Sequence, residues 1–223
     1  MIELLLVPHI LSGFLALGAA GVAVAANKGA RLHRRAGAIY VLAMLVVSLT
    51  ALALVFVHPN AFLLGIGIFS FYFVFTGWRT AKQRDGKTRP IDVGAALLMT
   101  VTSLAMTGWS LLGMSEPGGS DRAIILLVFG AIGLSMAISD LRQWRKGPLT
   151  GKQRIAHHLT RMLGGTIATI TAAVVVNLTF LPELVGWLGP TALITPLIVL
   201  WNMRLLRPRR SAERTLYTAA PSE

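Results

Sequence analysis

Three of the five histidines in this chain stand beside arginines and aspartates at the ends of long apolar stretches. Imidazole is a common ligand of haem iron, arginine binds carboxylate and phosphate groups, and a carboxylate can orient a ligating imidazole. The candidate cofactor ligands are His33, His157 and His158. The candidate ligand- or anion-binding residues around them are Arg34, Arg79, Asp140 and Arg161. The sharpest interpretation is a b-type haem whose axial ligands are His33 and His158.

The same residue types allow three other interpretations. A ring of arginines could bind a small anion such as phosphate, a carboxylate or a lipid headgroup. Histidine with aspartate could hold a hydrolytic metal ion, although the sequence contains no HExxH, HxxxH or GxSxG motif. Histidine and arginine could also simply anchor helix ends at the membrane surface. The chain contains no cysteine, which excludes iron–sulfur clusters, cysteine-based zinc sites and haem attached through CxxCH within this sequence.

Three further polar residues lie inside apolar stretches. His9 is the only histidine in such a position, and an ionisable residue at membrane depth is costly and by default a functional candidate. Asn177 falls at a similar depth in the outer half of the sixth stretch, so a hydrogen bond between His9 and Asn177 is expected to join two helices. Tyr72, near the middle of the third stretch, is a candidate for a buried polar network.

Seven stretches without Asp, Glu, Lys or Arg must position these side chains. Each has 17 to 23 residues, close to the roughly 20 that a helix needs to cross a bilayer. They cover residues 4–26, 36–57, 61–78, 93–113, 123–139, 162–180 and 184–203. The sequence therefore predicts an all-α integral membrane bundle of seven transmembrane helices, built as one domain over residues 1–204. The short connections 58–60 and 181–183 predict that helices two and three, and helices six and seven, are antiparallel neighbours.

Small residues predict which helices pack most closely. Gly164 and Ala168 in the sixth stretch, and Ala16 and Ala20 in the first, recur at four-residue spacing. Such faces let helix backbones approach each other closely in lipid. The first and sixth helices are therefore predicted to lie at the centre of the bundle.

Basic residues predict the orientation of the bundle. Twenty of the 21 Lys and Arg residues fall in segments 27–35, 79–92, 140–161 and 204–223, which occupy alternate gaps between the stretches. The positive-inside rule places these segments in the cytoplasm and the N-terminus outside. The net charge of +12 then suits anionic lipid headgroups at the cytoplasmic face, and nucleic acid is not an expected partner. Residues 205–223 are predicted to form a basic, mobile cytoplasmic tail.

Five short segments resemble one known family. They are PHILSG at 8–13, LHRRAG at 32–37, GWR at 77–79, SDLR at 139–142 and HLTRM at 158–162, in the order expected of it. The family is the uncharacterised bacterial membrane-protein family called domain of unknown function two-three-zero-six, and the resemblance covers about residues 5–205. It implies a polytopic membrane protein and brings no activity with it. The residues to which it draws attention are His9, His33, Arg79, Asp140, His158 and Arg161.

These observations leave three classes of function open. The preferred class is a multi-pass protein of the bacterial inner membrane that binds a ligand or cofactor, b-type haem above all, at its cytoplasmic-face cluster. If the protein is an enzyme, membrane redox chemistry is its expected form, and no catalytic residue is assigned. The second class is a small-anion transporter or exporter, with His9, Asn177 and the inner arginines at the two ends of a path. The third is a non-catalytic assembly protein that associates with its own copies or with another membrane protein.

Overall fold

The computed structural model describes residues 2–114 and 120–207. Over these ranges the chain forms seven α-helices: α1 Ile2–Ala25, α2 Arg31–Val57, α3 Ala61–Lys82, α4 Pro90–Gly113, α5 Ser120–Lys146, α6 Gly151–Asn177 and α7 Glu183–Leu206. Each helix is long and apolar enough to cross a membrane. The prediction of an all-α chain with seven helices of membrane length is confirmed. Apart from residues 205–207, the predicted mobile tail lies outside the described residues.

Helices continue past their apolar stretches at one end of the bundle, which we call the basic end. It is the end at which α2, α4 and α6 begin and α3, α5 and α7 finish. Helix α6 begins at Gly151, eleven residues before its apolar stretch, and α5 continues to Lys146, seven residues beyond its own. A charge-free stretch stops at the first ionised residue, whereas backbone hydrogen bonds carry the helix onward. Asp140, His157 and Arg161 consequently lie on regular helices that face their neighbours.

Two groups of helices share α3 and α6. Helices α1, α2, α3 and α6 form a closed arrangement, the four-helix ring, in which α1 touches α2, α2 touches α3, α3 touches α6 and α6 touches α1. Helices α4, α5 and α7 pack against the other side of α3 and α6. The predicted contacts between α2 and α3 and between α6 and α7 are confirmed. Helix α6 is central as predicted, but α1 is peripheral and α3 takes the second central place.

The peripheral position of α1 corrects the meaning of its small residues. Ala16 and Ala20 are buried, and together with Ala19 they pack with Tyr40 and Val74 in the core of the four-helix ring. The alanine face thus forms a close contact, chiefly with α2, without placing α1 at the centre. A small-residue face predicts close approach to one neighbour and carries no information about the number of neighbours.

The outer surface of the bundle is apolar along most of its length. Large hydrophobic side chains stand exposed on every helix, among them Leu4, Leu42, Leu63, Leu112 and Leu193. A protein dissolved in water rarely leaves continuous apolar surface of this kind uncovered. Lipid tails can cover such a surface at no cost, in agreement with seven helices of membrane length.

Candidate functional site

At the basic end, the carboxylate of Asp140 connects three other polar residues that were predicted from the sequence. Asp140 of α5 accepts hydrogen bonds from the Tyr72 hydroxyl of α3, from His157 Nε2 at 2.7 Å and from Arg161 Nη2 at 2.5 Å. The Asp140 side chain is only 14% exposed. We call these four residues the Asp140 network. Its members come from three helices, so the network ties α3, α5 and α6 together within the bundle.

Arg161 is the most deeply buried charged residue among those described. It is 1% exposed, and its Nη2 also donates to the Met136 carbonyl at 2.9 Å. Its guanidinium carbon lies 5.5 Å from the centre of the Tyr72 ring and 5.7 Å from that of Phe73. Its Nε and Nη1 have no hydrogen-bond partner among the described residues. The two rings offer their π electrons in place of oxygen acceptors, which partly offsets the desolvation of the cation.

A cavity of ≈ 50 Å³ opens beside the network between α3, α4, α5 and α6. This volume has room for a few water molecules or a small ion. Asp140 and His157 line it on one side, and Arg154 lines it from the first turn of α6. Arg79 and Asp92 line it from α3 and α4. The cavity therefore brings solvent-sized space to the exposed edge of a network that is otherwise buried.

Arg79 and Asp92 form a two-pronged ion pair on the wall of this cavity. Arg79 Nε and Nη2 donate to the two carboxylate oxygens at 2.7 and 3.2 Å, and Gln83 Nε2 adds a third bond at 2.6 Å. The paired charges cancel, so Arg79 is not a free cation for an anion. Gly86 and Leu149 form another edge of the cavity, and the Leu149 amide donates to the Gly86 carbonyl at 2.9 Å. Gly86 has a φ of 66°, a left-handed conformation that favours glycine.

His33 and His158 belong to the four-helix ring and not to the Asp140 network. His33 Nδ1 donates to the Ala23 carbonyl of α1 at 2.9 Å, and His158 Nδ1 donates to the Gly77 carbonyl of α3 at 2.8 Å. A carbonyl only accepts, so Nδ1 carries the proton in each ring and, in the neutral imidazole, Nε2 keeps a free lone pair. The neighbouring residues His157 and His158 therefore contact different partners. The nitrogen that donates to an acceptor-only oxygen is Nε2 in His157 and Nδ1 in His158.

His33 and His158 occupy equivalent positions on α2 and α6, relative to the contact that Tyr40 makes between these helices. Tyr40 of α2 reaches α6, where its hydroxyl lies 3.4 Å from Thr169 Oγ1 and 2.9 Å from the position of a Cβ at Gly165. His33 lies seven residues before Tyr40, and His158 seven residues before Gly165. Seven residues make almost two helical turns and return to the same face.

The structure separates several residues that the sequence grouped together. Arg34 is exposed and donates to the Gly29 carbonyl at 2.7 Å, so it is not part of the Asp140 network. The predicted bond between His9 and Asn177 is wrong. His9 Nδ1 forms a hydrogen bond with Thr50 Oγ1 at 2.9 Å instead, because α1 packs mainly on α2. Asn177 is exposed as the last residue of α6, and its amide donates to the Ala173 carbonyl of the same helix.

Other expectations fare differently. Tyr72 joins a buried network as predicted. Within residues 2–114 and 120–207, no three His, Asp or Glu side chains converge into a metal-binding group, so the hydrolytic-metal interpretation has no ligand set there. Two residues of this region were not predicted from the sequence. They are Arg154, which lines the cavity, and Thr80, whose hydroxyl lies 3.0 Å from His157 Nδ1. A signal for Thr80 was present, since Tyr72, Thr76 and Thr80 recur every four residues and form a polar stripe on one face of α3.

Comparisons of the chain with protein-family models, with curated proteins and with solved structures find no match. The resemblance to the uncharacterised family stays a prediction, and the function rests on the geometry alone.

Proposed function

We propose that this chain is a multi-pass protein of the bacterial inner membrane that binds a b-type haem between His33 and His158. In the proposed orientation the N-terminus lies outside and the basic end faces the cytoplasm. The observation that carries the proposal is the state of the two imidazoles. Each donates its Nδ1–H to a backbone carbonyl, which fixes the ring and leaves the Nε2 lone pair available for iron.

The four-helix ring supplies a suitable frame for such a ligand pair. Cofactor sites in helical bundles are built in the core from side chains of facing helices. Helices α2 and α6 stand diagonally in the ring, and among the described residues their backbones make no direct contact. The Tyr40 side chain bridges the space between α2 and α6, deeper in the bundle than the two histidines. A flat ligand beneath Tyr40 would therefore meet one imidazole from each side.

Local composition also favours a haem at this place. Gly37, one turn from His33, has no neighbouring atom within 4 Å of where a Cβ would lie, so the surface beside the imidazole is open. The first turns of α2 carry Arg31, Arg34 and Arg35, and arginine suits carboxylates such as the haem propionates. A haem with two histidine ligands would supply one-electron transfer. The protein would fix both imidazoles and shield the haem from water.

An optical spectrum of the detergent-purified protein, expressed in haem-replete cells, tests the proposal. We expect about one haem per chain and a reduced spectrum of the b type after dithionite, since two fixed histidines make one site. His33→Ala and His158→Ala should each lose most of the haem. His58→Ala is the matched control, because His58 is exposed at the opposite end of α2.

Two results would contradict the haem proposal. A colourless wild-type protein that elutes as a single folded species would do so directly. So would full haem retention, with an unchanged spectrum, in both His33→Ala and His158→Ala. Circular dichroism of each variant separates loss of the ligand from loss of the fold.

One observation favours a second candidate, the transport of a small anion. Arg154 lines the cavity, donates through Nη1 to the carbonyls of Thr80 and Gln83, and has no carboxylate partner among the described residues. A cation in this position can attract a chloride or phosphate ion. Chloride flux into proteoliposomes should then fall with Arg154→Gln and persist with Arg142→Gln, a change at an exposed site on α5. Equal flux in the two variants would exclude Arg154 from the path.

A further inference from the structure

The ionised side chains around the ≈ 50 Å³ cavity leave one positive charge without a counter-charge. Arg79 is paired with Asp92 on its wall, and Asp140 on the opposite wall is paired with Arg161. Arg154 also lines the cavity and has no carboxylate partner among the described residues. A charge that is partly removed from water is costly unless another charge compensates it. The cavity therefore favours an anion.

Two arginines on the cavity wall have N–H groups left to bind this anion. Arg79 donates through Nε and Nη2 to Asp92, and its Nη1 has no partner among the described residues. Arg154 donates only through Nη1, to the carbonyls of Thr80 and Gln83 at 3.3 and 3.4 Å. These two bonds are longer than the usual 2.7–3.2 Å or so, which marks them as weak and easily exchanged. Guanidinium groups bind best to an anion with several oxygens, because their N–H groups form a planar fork.

The cavity lies where the chain turns at the basic end of the bundle. Gly86 and Thr88 line it from the connection between α3 and α4, and Leu149 lines it from the connection between α5 and α6. With the helices across a bilayer, this end lies at the depth of the lipid headgroups, where basic pockets between helices bind phosphate. Lys82 and Lys87 stand exposed beside the same connection and attract anions to it.

We propose that this cavity binds one phosphate group, with the guanidinium groups of Arg154 and Arg79 as its donors. The phosphate comes from the headgroup of an anionic lipid or from inorganic phosphate, which present the same kind of oxygen. The cavity has room for a small ion but not for an acyl chain, so the rest of a lipid stays outside. The site rests on the second candidate function in that it names the anion held by Arg154, and it requires no haem.

Native mass spectrometry of the detergent-released protein tests the lipid source. Dioleoyl phosphatidic acid and dioleoylglycerol are the probes, because they differ only by the phosphate group. We expect about one phosphatidic acid molecule per chain, since the cavity has room for one phosphate group, and no specific adduct of dioleoylglycerol. Arg154→Gln should weaken the binding at least about ten-fold, because it removes a charged hydrogen-bond donor. Arg142→Gln, at an exposed position of α5, is the matched control and should bind like the wild type.

Equilibrium dialysis with radiolabelled inorganic phosphate tests the free-ion source on the same three proteins. Binding of either probe that Arg154→Gln weakens and Arg142→Gln does not supports the proposal and identifies the source. Two results would overturn it. In one, neither probe binds to the wild type, a result that needs no variant. In the other, the two variants weaken binding equally, which indicates general attraction to a basic surface. Circular dichroism checks that Arg154→Gln keeps its helices.

The phosphate site and the two candidate functions fail separately in these experiments. His33→Ala should bind the phosphate probe like the wild type even when it has lost its haem. Phosphate bound without any chloride flux would remove the transport function and support the site. Flux that depends on Arg154, without binding of either phosphate probe, would overturn the site and leave transport in place.

Discussion

Removing the charge of Arg161 should destabilise the bundle more than any other single change at the basic end. Arg161→Met keeps an aliphatic side chain and removes the guanidinium, which lies over the Tyr72 and Phe73 rings and holds Asp140 at 2.5 Å. Breaking a buried ion pair by deleting one partner costs about 3–5 kcal/mol, because the other charge stays buried without compensation. His157 remains beside Asp140 and keeps the cost within this range.

The structure also predicts how the cost of Arg161→Met is relieved. Adding Asp140→Asn removes the uncompensated charge and keeps one of the two oxygen acceptors that the Tyr72 hydroxyl and His157 Nε2 use in the wild type. We expect the double variant to lose less free energy of unfolding than the two single variants lose together, by at least about 2 kcal/mol, because both changed residues belong to one buried ion pair. Arg142→Met, at an exposed position of α5, is the matched control and should stay within about 0.5 kcal/mol of the wild type.

Unfolding in mixed micelles, with SDS as the denaturant and tryptophan fluorescence as the signal, measures these differences. Two outcomes would refute the reasoning. In the first, Arg161→Met costs less than about 1 kcal/mol, as at an exposed ion pair. In the second, the two single effects simply add, which would show that the two charges do not depend on each other.

Three further predictions concern other parts of the bundle. Gly165→Ala should cost about 1–3 kcal/mol in the same unfolding assay, because a Cβ there would lie 2.7 Å from a side-chain carbon of α3, while Gly13→Ala, with no atom within 4 Å, should be nearly neutral. His9→Ala should cost about 1 kcal/mol through its lost bond to α2, and Asn177→Ala should cost nothing measurable; equal costs would restore the predicted pair. Reporter fusions should place an enzyme joined after residue 207 in the cytoplasm and one joined at the N-terminus outside, and the opposite activities would reverse the proposed orientation.

The sequence predicts the helices well because their signal is local. An apolar stretch between charges identifies a helix of membrane length without reference to the rest of the chain, and all seven stretches correspond to helices. The partners of His9 illustrate what is not local. Its depth in α1 agrees equally well with Asn177 and with Thr50, and only the packing of α1 on α2 decides between them. Packing of that kind depends on the shapes of two whole helix faces, which no single residue reports.

The division of the histidines shows the same limit at the candidate site. His157 and His158 are successive residues, and each step along a helix turns the side chain by about 100°. The sequence establishes that they point in different directions, but the rotation of α6 relative to α3 and α5 determines what each one meets. His157 meets the carboxylate of α5 and the Thr80 hydroxyl of α3, and both of its nitrogens are occupied.

Because both nitrogens of His157 have hydrogen-bond partners, the structure reduces the number of candidate haem ligands, which composition alone does not do. Three histidines at the basic end were candidate iron ligands, and in two of them, His33 and His158, Nε2 has no hydrogen-bond partner among the described residues. To bind iron, His157 would have to give up its hydrogen bond to Asp140 or to Thr80. His33 and His158 would give up nothing, because the carbonyl bonds at Nδ1 are the bonds that orient a ligating imidazole. If a haem is bound, the two helices that hold it are therefore α2 and α6, and the Asp140 network of α3, α5 and α6 beside it remains intact.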